Sequence, residues 1–199
     1  MNKINSTTYN IYQEELEDLT YYPESFFDKL LFKISRKASY SKSINYVVYL
    51  PASDYLRGEL FCTDVSEEIE EEFTQTNLVR LLLDDFLEQA KRKNDPKALY
   101  YALDSMDQYS IQVYSYGKNG NIDYVDKDDS KTIKLICKIK RKEALRLEVM
   151  LSDIADLGVQ RTFSVEDVLR ILYIDFITKY KQGKIKNIYE NTIKRLNNS

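Results

Sequence analysis

Apolar positions recur along this chain with two different spacings, one near 3.6 residues and one of two, and the spacings alternate. A short acidic helix is predicted over residues 11 to 21. Pro23 opens another, with Phe26, Phe27, Leu30, Leu31 and Ile34 on a stripe that should face a core. The polar run Ser35 to Ser43 reads as a connector, and NYVVYLP, residues 45 to 51, as a strand stopped by Pro51. Residues 52 to 72 fit either a helix with Tyr55, Leu56 and Leu60 inward or a hairpin partner strand around ELFCTDV. Thr74 then caps a helix running to about Lys93 on Leu78, Val79, Leu81, Leu82 and Phe86, and after Asn94, Asp95 and Pro96 another helix reaches about Met106.

The pattern changes at residue 108. SIQVYSY and NIDYV flank Gly117 to Gly120, and an Asn-Gly step favours a short hairpin turn, so a β-hairpin is predicted over 108 to 130. A strand at 132 to 139, a helix at 144 to 157 that stops at Gly158, and a long helix capped by Ser164 complete the series. The fold class is α+β.

Displacing the chain by 90 residues lays FTQTNLVRLLLDDFLEQAK, residues 73 to 91, over FSVEDVLRILYIDFITKYK, residues 163 to 181. Six of nineteen positions are identical: Phe73/Phe163, Arg80/Arg170, Leu82/Leu172, Asp85/Asp175, Phe86/Phe176 and Lys91/Lys181. Any two amphipathic helices share an apolar period, but that period does not produce the matched arginines and aspartates. The same displacement lays strand 45 to 50 over 135 to 140 without a gap. The expected organisation is an internally duplicated strand-helix-helix unit: an N-terminal helical segment (1–43), a first repeat (44–107), a β-hairpin insert (108–130) and a second repeat (131–199). Phe86 and Phe176 are expected to be buried alike, and Arg80 and Arg170 to sit in matching environments.

Composition narrows the chemistry. The chain has no histidine, which removes Ser-His-Asp and Cys-His nucleophile pairs, imidazole bases and imidazole-ligated zinc. Its two cysteines, Cys62 and Cys137, cannot make a four-thiolate site and read as small buried apolar residues. None of the five glycines falls in a phosphate-cradling motif, and Asp126, Asp128 and Asp129 lack the further ligands and the glycine of a calcium loop. A non-enzymatic protein without cofactor or metal is expected. No stretch nears the roughly 18 apolar residues of a membrane span, and MNKINSTTYN lacks a signal-peptide core, so the expected location is the cytoplasm.

The net charge is −3, unevenly placed. Residues 1 to 90 hold 8 basic and 17 acidic side chains, and residues 91 to 199 hold 21 and 15. Such halves either attract each other or meet different partners.

A strand, a helix and a second helix opened by Ser or Thr resemble the ribbon-helix-helix DNA-binding proteins of the Arc and MetJ kind. YVVYLPASDYL and TQTNLVRLLLDDFL supply the pattern once, and LICKIKRKEAL, Gly158 and SVEDVLRILYIDFI supply it again. Tandem copies in one chain are similar to the TraY type of conjugation accessory factor. That resemblance implies a single-chain pseudo-dimer in which outward strand side chains read base edges and the start of each second helix meets phosphate.

The nucleic-acid-binding candidates it implies in the second copy are Lys134, Lys138, Lys140, Arg141, Lys142 and Ser164. The first copy's outward strand face, Asn45, Val47 and Tyr49, is not basic, and the acidic run Glu67, Glu68, Glu70, Glu71 and Glu72 would repel phosphate. Two functions therefore stand: a regulator or accessory factor of a plasmid or phage that binds double-stranded DNA, or an inhibitor that binds a basic nucleic-acid enzyme through its acidic half. In the second, the same five glutamates and Tyr114 and Tyr116 of the hairpin would form the partner face. Homodimerisation is left open.

Overall fold

A computed structural model describes residues 9–21, 25, 27–28, 41–107, 131–185 and 187–196. Among them the elements are α1 (Asn10–Thr20), β1 (Ser43–Pro51), α2 (Ala52–Ile69), α3 (Gln75–Lys93), α4 (Pro96–Met106), β2 (Thr132–Lys140), α5 (Arg141–Ala155), α6 (Val165–Lys181) and α7 (Ile188–Leu196). The class is mixed α+β and mostly helical, and none of the described helices is long and apolar enough to cross a membrane. The predicted hairpin, with Tyr114, Tyr116 and the Asp126 to Asp129 run, lies outside the described residues.

β1 and β2 pair with each other, antiparallel, as a two-stranded ribbon in which Val47 stands opposite Ile136, Asn45 opposite Lys138 and Tyr49 opposite Lys134. Successive strand side chains point to opposite faces, and alternate residues are apolar, so one face is buried: Tyr46, Val48 and Leu50 from β1, Leu135, Cys137 and Ile139 from β2. The ladder closes at both ends with one further bond. Ala52 N donates to Lys131 O at 2.8 Å and Arg141 N to Lys42 O at 3.0 Å.

This burial corrects the ungapped 90-residue superposition of the strands. That offset sets exposed Asn45 over buried Leu135, whereas burial agrees at 89, where Tyr46, Val48 and Leu50 stand over Leu135, Cys137 and Ile139. With a side-chain period of two, a slip of one residue turns every side chain to the wrong face. For α3 and α6 the 90-residue offset keeps buried positions together: Phe73 with Phe163, Leu78 with Val168, Val79 with Leu169, Leu83 with Tyr173, Leu87 with Ile177.

Each strand runs directly into a helix, β1 into α2 and β2 into α5. Residues 52 to 69 are thus helical and not a hairpin strand, and α5 starts three residues before the predicted Ala144. The inward face of α2 is Asp54, Gly58, Phe61, Cys62 and Val65, while Leu56 and Leu60, expected inside, are more than half exposed. Gly58 sets that rotation. A Cβ there would fall 1.8 Å from the phenol oxygen of Tyr173, a fully buried ring of α6, so only a glycine lets the two helices come this close. The Tyr173 hydroxyl donates to Gln75 Oε1 at 2.5 Å, and Gln75 Nε2 to Tyr55 O at 3.3 Å. Of the predicted N-terminal stripe, Phe27 is among the described residues and is exposed, while Phe26, Leu30, Leu31 and Ile34 lie outside them.

α3 and α6 open with the same device. Asn77 N donates to Thr74 Oγ1 at 3.3 Å while Thr74 N donates to Asn77 Oδ1 at 3.1 Å, and Asp167 N and Ser164 N make the equivalent bonds with Ser164 Oγ and Asp167 Oδ2 at 3.1 and 3.0 Å. Both are capping boxes, as Thr74 and Ser164 predicted for the helix starts. α3 packs on β2 and α6 on β1, and the helices enclose the ribbon's apolar face in one continuous core.

α1 docks on α5. Tyr9 Oη lies 3.3 and 3.2 Å from the carbonyls of Leu151 and Phe163, Tyr12 N donates to Glu148 Oε2 at 2.8 Å, and Arg141 pairs with Glu14 and Glu15 at 2.8 and 3.3 Å.

Candidate nucleic-acid interface

The face of the ribbon turned away from the helices holds the strand residues that alternation leaves over. Asn45, Tyr49, Lys134, Ile136 and Lys138 are exposed and Val47 is half-buried. Across the strands this is a centre of Val47 and Ile136 with Asn45 and Lys138 at one end and Tyr49 and Lys134 at the other. The apolar centre carries Ile136 at 52% exposure and the neighbouring Tyr49 at 59%, so these side chains lie outside the core. A two-stranded ribbon is one of the two shapes a major groove admits.

The six nucleic-acid candidates separate by position. Lys134 and Lys138 stand on the outer face. Lys140 ends the strand, exposed, with Nζ 3.1 Å from Glu143 Oε1, and Lys142 is exposed in the first turn of α5. Arg141 turns the other way into its ion pairs with Glu14 and Glu15, and its side chain is only 16% exposed. Ser164 is engaged in capping α6, so its hydroxyl serves the helix start.

The helix starts flank the ribbon. Thr76 Oγ1 in the first turn of α3 donates to Ile136 O at 3.3 Å, which holds that turn against the middle of β2. On the other side α6, with Glu166 in its first turn, packs on β1, and burial, then Glu148 and Glu166, raises the pKa of Tyr46 there. Glu67, Glu68, Glu70, Glu71 and Glu72 are all exposed, at the end of α2 and in the elbow that leads to α3. Sequence reasoning did not single out Thr76 or Ile136. The alternation that exposes Lys134 and Lys138 also exposes Ile136, but an isoleucine between two lysines reads as core until the face is known.

At the Lys140 end a small charged cluster forms from Arg80 and Asp84 of α3, Lys140 and Glu143. Burial, then Glu143, raises the Asp84 pKa against the opposing pull of Lys140 and Arg80. Arg80 is therefore set among these groups, whereas Arg170 reaches Asp107 at 3.5 Å and Asp167 at 3.6 Å, so the matching environments expected for the two arginines are not found. Both thiols are buried and burial pushes each up to about 12, which leaves them protonated and unreactive at neutral pH. Among the described residues no group of three His, Cys, Asp or Glu side chains is arranged to hold a metal ion.

No protein-family model, curated protein or solved structure matches this chain.

Proposed function

We propose that the chain is a single-chain ribbon-helix-helix pseudo-dimer that binds duplex DNA with the outer face of its ribbon, as a cytoplasmic regulator or accessory factor of a plasmid or phage. The observation that carries this reading is the register of the ribbon. Val47 opposite Ile136 lies on a pseudo-two-fold that exchanges Ser43–Pro51 with Thr132–Lys140, α2 with α5, and α3 with α6. The crosswise packing of α3 on β2 and α6 on β1, the paired bonds at the ribbon ends and the two capping boxes obey the same exchange. An internal duplication accounts for all of these together, and a ribbon shared between copies is the arrangement that a tandem form of this fold requires.

The register also answers the objection that the first copy lacks basic strand residues. Lys134 and Lys138 belong to one strand but stand toward opposite ends of the ribbon, so each half of a DNA site would meet one lysine. Phosphate contacts make such binding steeply salt-dependent. Fluorescence anisotropy with a mixed-sequence duplex should show retention at low salt, affinity falling as salt rises, and weaker binding by the Lys134→Ala/Lys138→Ala double variant. No retention at low salt would sink the proposal.

The exposed carboxylates of the α2–α3 elbow favour a second reading, in which that elbow binds a basic nucleic-acid enzyme. Recovery of a stoichiometric basic protein, and no DNA, on the immobilised chain would support it.

A further inference from the structure

We infer that the chain engages its duplex with a fixed polarity, on a non-palindromic site gripped at one flank only. This rests on the DNA-binding reading above and adds the orientation of the DNA to it. On the outer face, the axis through Val47 and Ile136 brings unlike residues to equivalent places: Asn45 exchanges with Lys134, and Tyr49 with Lys138. One end of the ribbon presents Asn45 beside Lys138, the other Tyr49 beside Lys134. A lysine ammonium suits the O6 and N7 acceptors of guanine, and an asparagine amide matches the N6 and N7 edge of adenine, whereas a phenol makes no such paired contact. Lys134 and Lys138 are four residues apart on one strand, about 13 Å, which is the rise of about four base pairs. The ribbon is therefore suited to two guanines at that spacing, with an adenine beside only one of them.

The flanks differ more sharply. α3 is preceded by Glu70, Glu71 and Glu72, all exposed, and the corresponding places before α6 hold Gln160, Arg161 and Thr162. Four residues separate Glu72 from Thr76, whose hydroxyl is bonded to the centre of the ribbon, so at most about 14 Å lies between them. That is comparable with the Debye length of about 10 Å in 0.1 M salt. A phosphate approaching the start of α3 meets three carboxylates. At the start of α6 it meets two, the exposed Glu166 and the partly exposed Asp167 that is bonded into the cap, with Arg161 in the same segment. Backbone amides and helix dipole attract phosphate at both starts, so the charge of each approach decides: residues 70 to 77 hold three acids and no base, residues 160 to 167 two acids and one base, and the balance disfavours the backbone on the first copy's side.

The test is selection of duplexes from a random-sequence pool by the full-length chain, followed by phosphate ethylation interference on the selected duplex. The expected consensus is non-palindromic, with guanines about four base pairs apart, and interference falls on one flank. Lys134→Ala and Lys138→Ala should each relax selection at one guanine. The Glu70→Gln/Glu71→Gln/Glu72→Gln variant, altered only at exposed positions, should bind roughly three- to tenfold tighter at low salt and add interference on the second flank. A palindromic consensus, two-flank interference in the wild type, or no gain from the triple variant overturns the polarity and leaves DNA binding standing. A pool that yields no duplex overturns the DNA-binding reading and the polarity with it.

Discussion

Gly58 and Tyr173 show how one missing side chain sets a helix face. An alanine in the middle of a helix ordinarily stabilises it over glycine by roughly 0.5 to 1 kcal/mol. Here the added methyl would meet the Tyr173 phenol at 1.8 Å, where both residues are buried. Gly58→Ala should therefore destabilise the protein by about 1 to 3 kcal/mol, measured as a lower urea midpoint. Adding Tyr173→Phe should recover part of that loss, because the nearest atom is the hydroxyl; an additive double variant would show that the two residues are not in contact.

Glu148 is buried and accepts the Tyr12 N–H, and burial is the main cause of its raised pKa, opposed by hydrogen bonds from α1. A carboxyl whose folded pKa lies above its unfolded one stabilises the fold fully below the unfolded value, near 4.3, and that contribution is lost as pH rises through the folded value. Glu148→Gln keeps an acceptor for Tyr12 without the buried charge. Its stability at pH 7 should equal or exceed that of the wild type, and the wild type's loss of stability above the ordinary glutamate range should be absent from it.

At the scale of elements, the likeness between α3 and α6 and between the two strands lies in helix starts and strand pairing more than in packing detail. Phe86 is 7% exposed, but Phe176 is only partly buried, with its ring edge-on to Phe61 at 5.1 Å, so the equal burial expected of the two is not found. Phe86→Ala should cost about 3 to 5 kcal/mol and Phe176→Ala roughly 1.5 to 3; equal losses in chemical denaturation would contradict this. Arg141 holds α1 through two partly exposed ion pairs, an arrangement that contributes on the order of 0.5 to 1 kcal/mol. Arg141→Ala should raise hydrogen exchange in α1 while leaving duplex affinity unchanged.

What was legible in the sequence was local. Alternation placed Lys134 and Lys138 on an outer face, and Thr74 and Ser164 announced the helices they cap. The face of α2 was not legible, because Leu56 and Leu60 are as apolar as Phe61 and only the approach of Tyr173 decides between them. Nor was the engagement of Arg141, whose partner glutamates lie 126 and 127 residues away. The strands went one residue out of step because the stretch from the end of the strand to the start of the second helix is one residue longer after β2 (141–164) than after β1 (52–74), its shorter helix being outweighed by a longer elbow, a difference an ungapped superposition hides.

On the scale of the whole molecule, the opposed charges of the halves are partly neutralised inside it. Arg141 with Glu14 and Glu15, and Arg195 with Asp85, join a cation of residues 91 to 199 to an acid of residues 1 to 90, while Arg161 and Arg170 meet Asp107 at the end of α4. Asp107 is buried, with Arg161 at 2.6 Å, so α4 is fastened to the second half by both arginines. Each half also contributes one strand to a ribbon that neither forms alone. Urea unfolding should accordingly follow one transition, coincident by tyrosine fluorescence and far-UV circular dichroism. Two resolved transitions would mean that the halves hold together independently.

The pairing of Val47 with Ile136 has a kinetic consequence. A ribbon closed between strands so far apart in sequence depends on contacts of high order, which form slowly compared with helix pairs. During synthesis at about 5 to 20 residues per second, β1 emerges several seconds before its partner exists. In that interval Val48 and Leu50 have no β2 to complete the sheet over which α6 will close. The nascent first half is thus a transiently open strand edge, the kind of surface that recruits chaperones or aggregates. Refolding of the full chain should be limited by formation of the ribbon, with α3 protected from exchange before β1.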